Sequence, residues 1–144
     1  MIYILEGVSG GGKTTFVNTL KGFYRKKLML RTFDEIKAEI EANKDKNVVY
    51  DRLFMNVWLN RNDRDLEDLN YYLQHRPFVK CLGFMTDKET SFNKRMKEMY
   101  DNNIAHIPDR LKARMSEEHD RYLHVFDVMT VFEVIHNEKQ TYNF

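Results

Sequence analysis

The chain has 144 residues, the size of one globular unit and too short for two full cores. Lys and Arg together number 23 and Asp and Glu 22, giving a net charge of +1, with 42% hydrophobic and 31% charged residues. This excludes a disordered chain and argues against a protein held to nucleic acid or an anionic membrane by bulk charge. Cys81 is the single cysteine, so an internal disulfide framework and a multi-cysteine zinc site are excluded, and its apolar setting reads as core.

Ile2 to Leu5 reads as a first strand, interrupted by Glu6 and then by glycines. This start has neither the basic residues nor the long apolar run of a signal peptide, and no segment is long enough to cross a bilayer. With the lone cysteine, this points to a cytoplasmic location. Phe16, Val17, Leu20 and Phe23 recur at helical spacing. Leu28 to Phe33 suggests a second strand, followed by a helix bearing Phe33, Ile36 and Ile40. Val48 to Tyr50 is the third strand.

Leu53, Phe54, Val57 and Trp58 form one expected helical face, and Leu66, Leu69 and Leu73 form another that Pro77 ends. Phe78 to Met85 is the fourth strand. Phe92, Met96, Met99 and Tyr100 share one side of the next helix, and Pro108 opens the last, which carries Leu111, Met115, Tyr122, Phe126 and Met129. Val131 to Ile135 is the fifth strand. Strands alternating with helices predict an α/β fold with a parallel sheet covered on both faces. The five histidines show no metal-ligand spacing.

Between the first strand and the first helix, Gly7-Val8-Ser9-Gly10-Gly11-Gly12-Lys13-Thr14 satisfies the phosphate-loop pattern G-x-x-x-x-G-K-[ST]. In that pattern Gly7, Ser9, Gly10, Gly11 and Gly12 turn backbone N–H groups toward a phosphate at a helix N-terminus. Lys13 bridges the outer phosphates, and the Thr14 hydroxyl ligates Mg²⁺. ATP with Mg²⁺ is therefore the expected cofactor pair. A triphosphate site also needs an acid to manage the magnesium, and Asp51, directly after the third strand, is the candidate. Asp-Arg occurs four times in the chain, but only Asp51-Arg52 follows a strand-like run.

Leu5-Glu6-Gly7 continuing through the loop to Thr14-Thr15 resembles the opening of thymidylate kinases and related deoxynucleoside kinases, and Asp51-Arg52 resembles their D-R-[YFH] motif. A weaker match covers Arg95 to Tyr122, where Asp109-Arg110 is similar to the lid D-R of that family. The resemblance implies a three-layer P-loop NTPase fold with a five-stranded parallel sheet, like that of nucleoside monophosphate kinases. It implies one kinase domain over residues 1–144 with a lid near residues 88–115. It also implies that Thr15 joins the nucleotide site, that Arg52 positions an acceptor phosphate, and that Asp51 lies near the metal. Ser9 stands where the family usually has an acid and Leu53 where it has an aromatic, both on the acceptor side. The compact chain looks like phage or viral versions of the family, which would place it in a host cytoplasm.

Phosphoryl transfer is positioning and charge neutralisation, so cations must surround the moving group. Arg95, Arg110 and Arg114 flank the polar loop after the fourth strand and are lid candidates, or else a solvated basic face. Asp34 lies where related kinases place acceptor-contacting residues; it is either a base or a helix cap, and Glu35 is the alternative base. Phe54 and Trp58 stack on a base or belong to the core. The acceptor expected first is a deoxynucleoside monophosphate, within a wider class of nucleotides and nucleosides. The alternative is a hydroxyl of DNA or RNA, with Arg25-Lys26-Lys27 guiding the polymer. A non-catalytic nucleotide-binding switch ranks third, since no guanine-reading N-K-x-D motif is present. No membrane partner is expected, and a homodimer is compatible with the sequence.

Overall fold

A computed structural model describes residues 1–54, 63–105 and 108–137. Five strands form one sheet: β1 (Ile2–Gly7), β2 (Tyr24–Lys26), β3 (Val48–Asp51), β4 (Val79–Met85) and β5 (Phe132–His136). The described helices are α1 (Lys13–Thr19), α2 (Phe33–Ala42), α3 (Asp63–Gln74), α4 (Lys88–Asp101) and α5 (Pro108–Val128). The sheet is parallel throughout, in the order β2-β3-β1-β4-β5. This is the expected five-stranded P-loop NTPase-like arrangement. None of the described helices is long and apolar enough to cross a membrane.

Alternation along the strands builds two cores. Ile2, Ile4, Tyr50 and Cys81 face a large cluster with Ile36 and Ile40 of α2, Leu66 and Leu69 of α3, and Tyr122 and Phe126 of α5. Leu5, Val49, Leu82 and Phe84 face the other side, where Val17 and Phe16 of α1 cover them. A strand buried on both faces has no polar side to show, so these runs read as continuously apolar.

The second strand differs from the sequence expectation. It is Tyr24–Lys26, and Leu28 to Phe33 lies outside the sheet. Tyr24 and Arg25 are exposed because β2 is an edge strand, so no apolar run marks it. Leu28 and Leu30 are partly buried against the core, and their N–H groups bond to the carbonyls of Arg52 and Leu53 at 3.2 and 2.9 Å. Phe23 also lies beyond α1, which ends at Thr19, and it packs edge-on against Tyr3. Leu53 and Phe54 are buried in a bend after β3, whereas Val57 and Trp58 of the expected helical face lie outside the described residues.

The chain runs from β1 to the β2-β3 side first and to the β4-β5 side afterwards, so the direction of winding reverses at β1. The carboxyl end of β1 is thus the topological switch point, where open α/β sheets bind ligands.

Candidate functional site

The loop between β1 and α1 leaves the sheet at its centre. Gly7 pairs with Phe84 of β4, and a Cβ on Gly7 would lie 2.1 Å from the Phe84 carbonyl oxygen, so no other residue fits at this approach. Gly12, with φ of 103°, caps α1 in the left-handed region and aims the first turn of the helix back at the loop. Two side chains brace the loop from outside, and a third holds the backbone of one of them. Ser91 of α4 donates to the Ser9 carbonyl at 2.5 Å, the Asn137 amide donates to the Gly11 carbonyl, and Thr86 donates to the Asn137 carbonyl at 3.3 Å.

Lys13, the first residue of α1, folds back so that Nζ donates to the Gly7 carbonyl at 2.8 Å. Burial, together with the neighbouring Arg52 cation, brings its ammonium down to about 8 from the ordinary lysine value, against the pull of Glu6, Asp51 and Glu118. Register sets Asp51 beside Leu5, so the end of β3 meets the start of the loop. The Asp51 carboxylate is buried and ion-paired with Arg25 of β2. Arg52 turns out of the strand at φ 74° and points its guanidinium toward Glu118 of α5, 3.9 Å away.

These groups line a polar cleft of about 190 Å³ with Ser9, Gly10, Gly12 and Thr14 on one side and Lys94, Arg95 and Glu98 of α4 on the other. Arg25 and Lys27 complete it. Lys13, Arg25, Lys27, Arg52, Lys94 and Arg95 therefore face two carboxylates, Asp51 and Glu98. Glu98 is itself 3.5 Å from Arg95 and 3.9 Å from Lys94. The arrangement suits a polyanion. A second hollow of about 430 Å³ adjoins it, lined by Thr15, Phe16 and Thr19 of α1, Ile135 and Asn137.

Of the residues singled out from sequence, Lys13, Thr14, Asp51, Arg52, Arg95 and most of the loop converge here. Gly11 is buried behind the loop, and Thr15 lines the adjoining hollow. Asp34, Arg110 and Arg114 are exposed and are not among the residues lining the cleft. Asp34 sits in the first turn of α2 and not at a strand end. The cap is Thr32, which accepts from the Glu35 N–H at 3.1 Å while Glu35 accepts from the Arg31 N–H at 2.8 Å. Sequence reasoning missed Lys94, Glu98 and the buried Glu6. It assigned Arg25 and Lys27 only to a polymer track.

Among solved structures the chain is similar to the YorR protein of Bacillus subtilis, whose structure is a complex with phosphorylated GDP. The TM-score is 0.63 and the identity 16%, over 96% of this chain and 86% of that one. The fold is shared. No protein-family model and no curated protein matches the chain.

Among the described residues no group of three His, Cys, Asp or Glu is arranged to hold a metal ion. Magnesium bound with a nucleotide needs no such cage, because it keeps waters and takes phosphate oxygens. One exposed hydroxyl, Thr14, and one carboxylate, Asp51, on the same open cleft are a donor set of that kind.

Proposed function

We propose that the protein is an ATP-dependent phosphotransferase that moves the γ-phosphate to a nucleotide, with a deoxynucleoside monophosphate as the leading acceptor. The observation that carries this reading is the convergence of six cationic side chains, from α1, α4, β2 and the residue after it, and the end of β3, on one phosphate-loop cleft. The shared fold with YorR, which was solved with phosphorylated GDP, supports a nucleotide ligand. The donor's phosphates lie along the loop amides with Lys13 on the outer ones. Its nucleoside takes the hollow beside Thr15, Phe16 and Asn137. Thr14, with Asp51 behind it, would hold Mg²⁺, which supplies charge neutralisation at the transferring oxygens. Lys94 and Arg95 approach from the α4 side of the same cleft, taking the part that sequence alone gave to Arg95, Arg110 and Arg114. Residues 1–144 act as one kinase unit in this reading.

A phosphate acceptor is favoured over a hydroxyl by the state of the carboxylates. Attack by a hydroxyl needs a base, whereas a phosphate is already ionised near neutral pH. In the cleft Asp51 is paired with Arg25, and Glu98 lies between Lys94 and Arg95. Asp34 and Glu35 lie elsewhere, in the first turn of α2. Arg52 and Arg25 offer planar forks that match a terminal phosphate.

The polymer reading draws on Arg25 of the edge strand and Lys27 just beyond it, both of which line the cleft. Both readings are tested by incubating the protein with labelled ATP and Mg²⁺, offering nucleosides, nucleoside monophosphates and a single-stranded oligonucleotide at two salt concentrations. Label entering deoxynucleoside monophosphates is expected, with weak salt dependence. Label confined to the oligonucleotide and falling steeply with salt would favour the polymer kinase. Triphosphate binding without any transfer would leave a nucleotide-binding switch.

A further inference from the structure

Glu6 takes no part in the chemistry above, yet it is fully buried at the end of β1, continuing the inward series of Ile2 and Ile4. A carboxyl there needs donors, and it has three. Oε1 accepts from the Leu53 N–H at 2.9 Å and from the Phe54 N–H at 3.2 Å, and Oε2 accepts from the Tyr122 hydroxyl at 3.3 Å. Leu53 directly follows Arg52, whose φ of 74° is a conformation that a side-chain-bearing residue holds only where its surroundings enforce it. One residue beyond Glu6, the Gly7 carbonyl receives Lys13 Nζ. A single carboxyl therefore touches the turn that carries Arg52 and adjoins the anchor of Lys13.

We propose that Glu6 is a positioning residue of the cleft, whose buried carboxyl pins the turn bearing Arg52. The Lys13 and Arg52 cations beside this turn also face Asp51, which is paired with Arg25, and Glu118, 3.9 Å from Arg52. The groups facing Glu6 are Lys13 from α1, Arg52 from the end of β3, Tyr122 from α5 and Cys81 from β4. Burial holds the Glu6 carboxyl above the usual carboxylate range, and the Leu53 and Phe54 N–H groups and the two cations offset this only in part. Only the kinetic arm of the test below rests on the phosphotransferase reading.

Two substitutions separate the bonds from the bulk of the side chain. Glu6→Gln keeps them, because its amide oxygen can accept both peptide N–H groups and its NH₂ can donate to Tyr122, and Glu6→Leu removes them. Hydrogen exchange at the Leu53 and Phe54 amides is followed in the wild type and in both variants, without any ligand. Protection of both amides is expected to fall roughly tenfold in Glu6→Leu, as loss of a buried acceptor implies, and to be kept in Glu6→Gln. In steady-state assays with ATP and a deoxynucleoside monophosphate, Glu6→Leu is expected to raise the acceptor KM roughly tenfold and to change the donor Kd less, and Glu6→Gln to restore the acceptor KM. A folded Glu6→Leu protein with unchanged protection at Leu53 and Phe54 overturns the proposal, whatever its activity. Lost protection there, beside a wild type that transfers no phosphate, leaves the role of Glu6 standing and sinks the phosphotransferase reading. Should Glu6→Leu not fold, the wild type decides: Leu53 and Phe54 amides protected against exchange support the proposal, and amides that exchange as fast as those of an open turn overturn it.

Discussion

The guanidinium of Arg25 is ion-paired with the carboxylate of Asp51, tying the edge strand β2 to the end of β3 inside the cleft. The two partners are unequal: the Asp51 side chain is 8% exposed and that of Arg25 48%. Breaking the pair would leave the buried Asp51 carboxylate unmatched, so Arg25 keeps it and offers its remaining N–H groups to an incoming phosphate. Arg25→Gln is expected to raise the acceptor KM roughly tenfold, as the loss of a charge-assisted bond does, with little change in ATP affinity. Initial rates with the acceptor varied at saturating ATP and Mg²⁺ check this. An unchanged KM would confine Arg25 to holding Asp51.

Arg52→Lys tests the other fork. The side chain leaves the end of β3 from a left-handed backbone position and lies in the cleft between Lys13 and Glu118. Lysine keeps the charge but cannot present two parallel N–H groups. The acceptor KM should rise and transfer should slow, each by roughly tenfold, with ATP binding nearly constant. Equal losses in ATP binding and acceptor binding would show that Arg52 serves the donor phosphates.

What could be read from sequence divides along physical lines. β1, β3 and β4 are buried on both faces and declare themselves as apolar runs, and the loop declares itself because glycines are required where backbones meet, as Gly7 and Phe84 do. β2 is short and exposed, so Tyr24-Arg25-Lys26 carries no hydrophobic signal, while Leu28 and Leu30 are apolar for packing beside the Arg52 turn. On α4, Lys94 and Arg95 are adjacent, and spacing alone cannot say that both reach the cleft. Asp34 has the composition of a cap, but Thr32 and Glu35 already form one. Glu6 was open to detection: an acid at an inward position of a central strand has to be met by donors, though only the fold brings Leu53, Phe54 and Tyr122 to it.

Cys81 provides a probe of the sheet. It lies on β4 between Ile4 of β1 and Phe132 of β5, and burial pushes its thiol far above the ordinary range. The reactive species is the thiolate, so the folded protein should resist an alkylating reagent at mildly alkaline pH. Labelling is expected to follow global unfolding across a denaturant titration. Fast labelling without denaturant would show that the centre of the sheet opens locally.

Lys13 joins the site's electrostatics to its pH dependence. Its ammonium is brought down to about 8 by burial and by Arg52, so it loses its charge at a lower pH than an ordinary lysine. Only the protonated form neutralises phosphate charge, so kcat/KM, which reports the free enzyme, should be level below that value and fall as the pH rises through it. Bound triphosphate adds negative charge beside the amine, which favours the ammonium, so the same limb in kcat should lie at higher pH. Lys13→Ala should abolish transfer while the circular dichroism spectrum and cooperative unfolding persist, because the side chain contacts the loop and not the core. Lys13→Arg, charged at every pH used, should lose the alkaline limb at whatever activity it retains. A limb of unchanged position in Lys13→Arg would assign the titration to another group, and full turnover by folded Lys13→Ala would remove the loop from the reaction altogether.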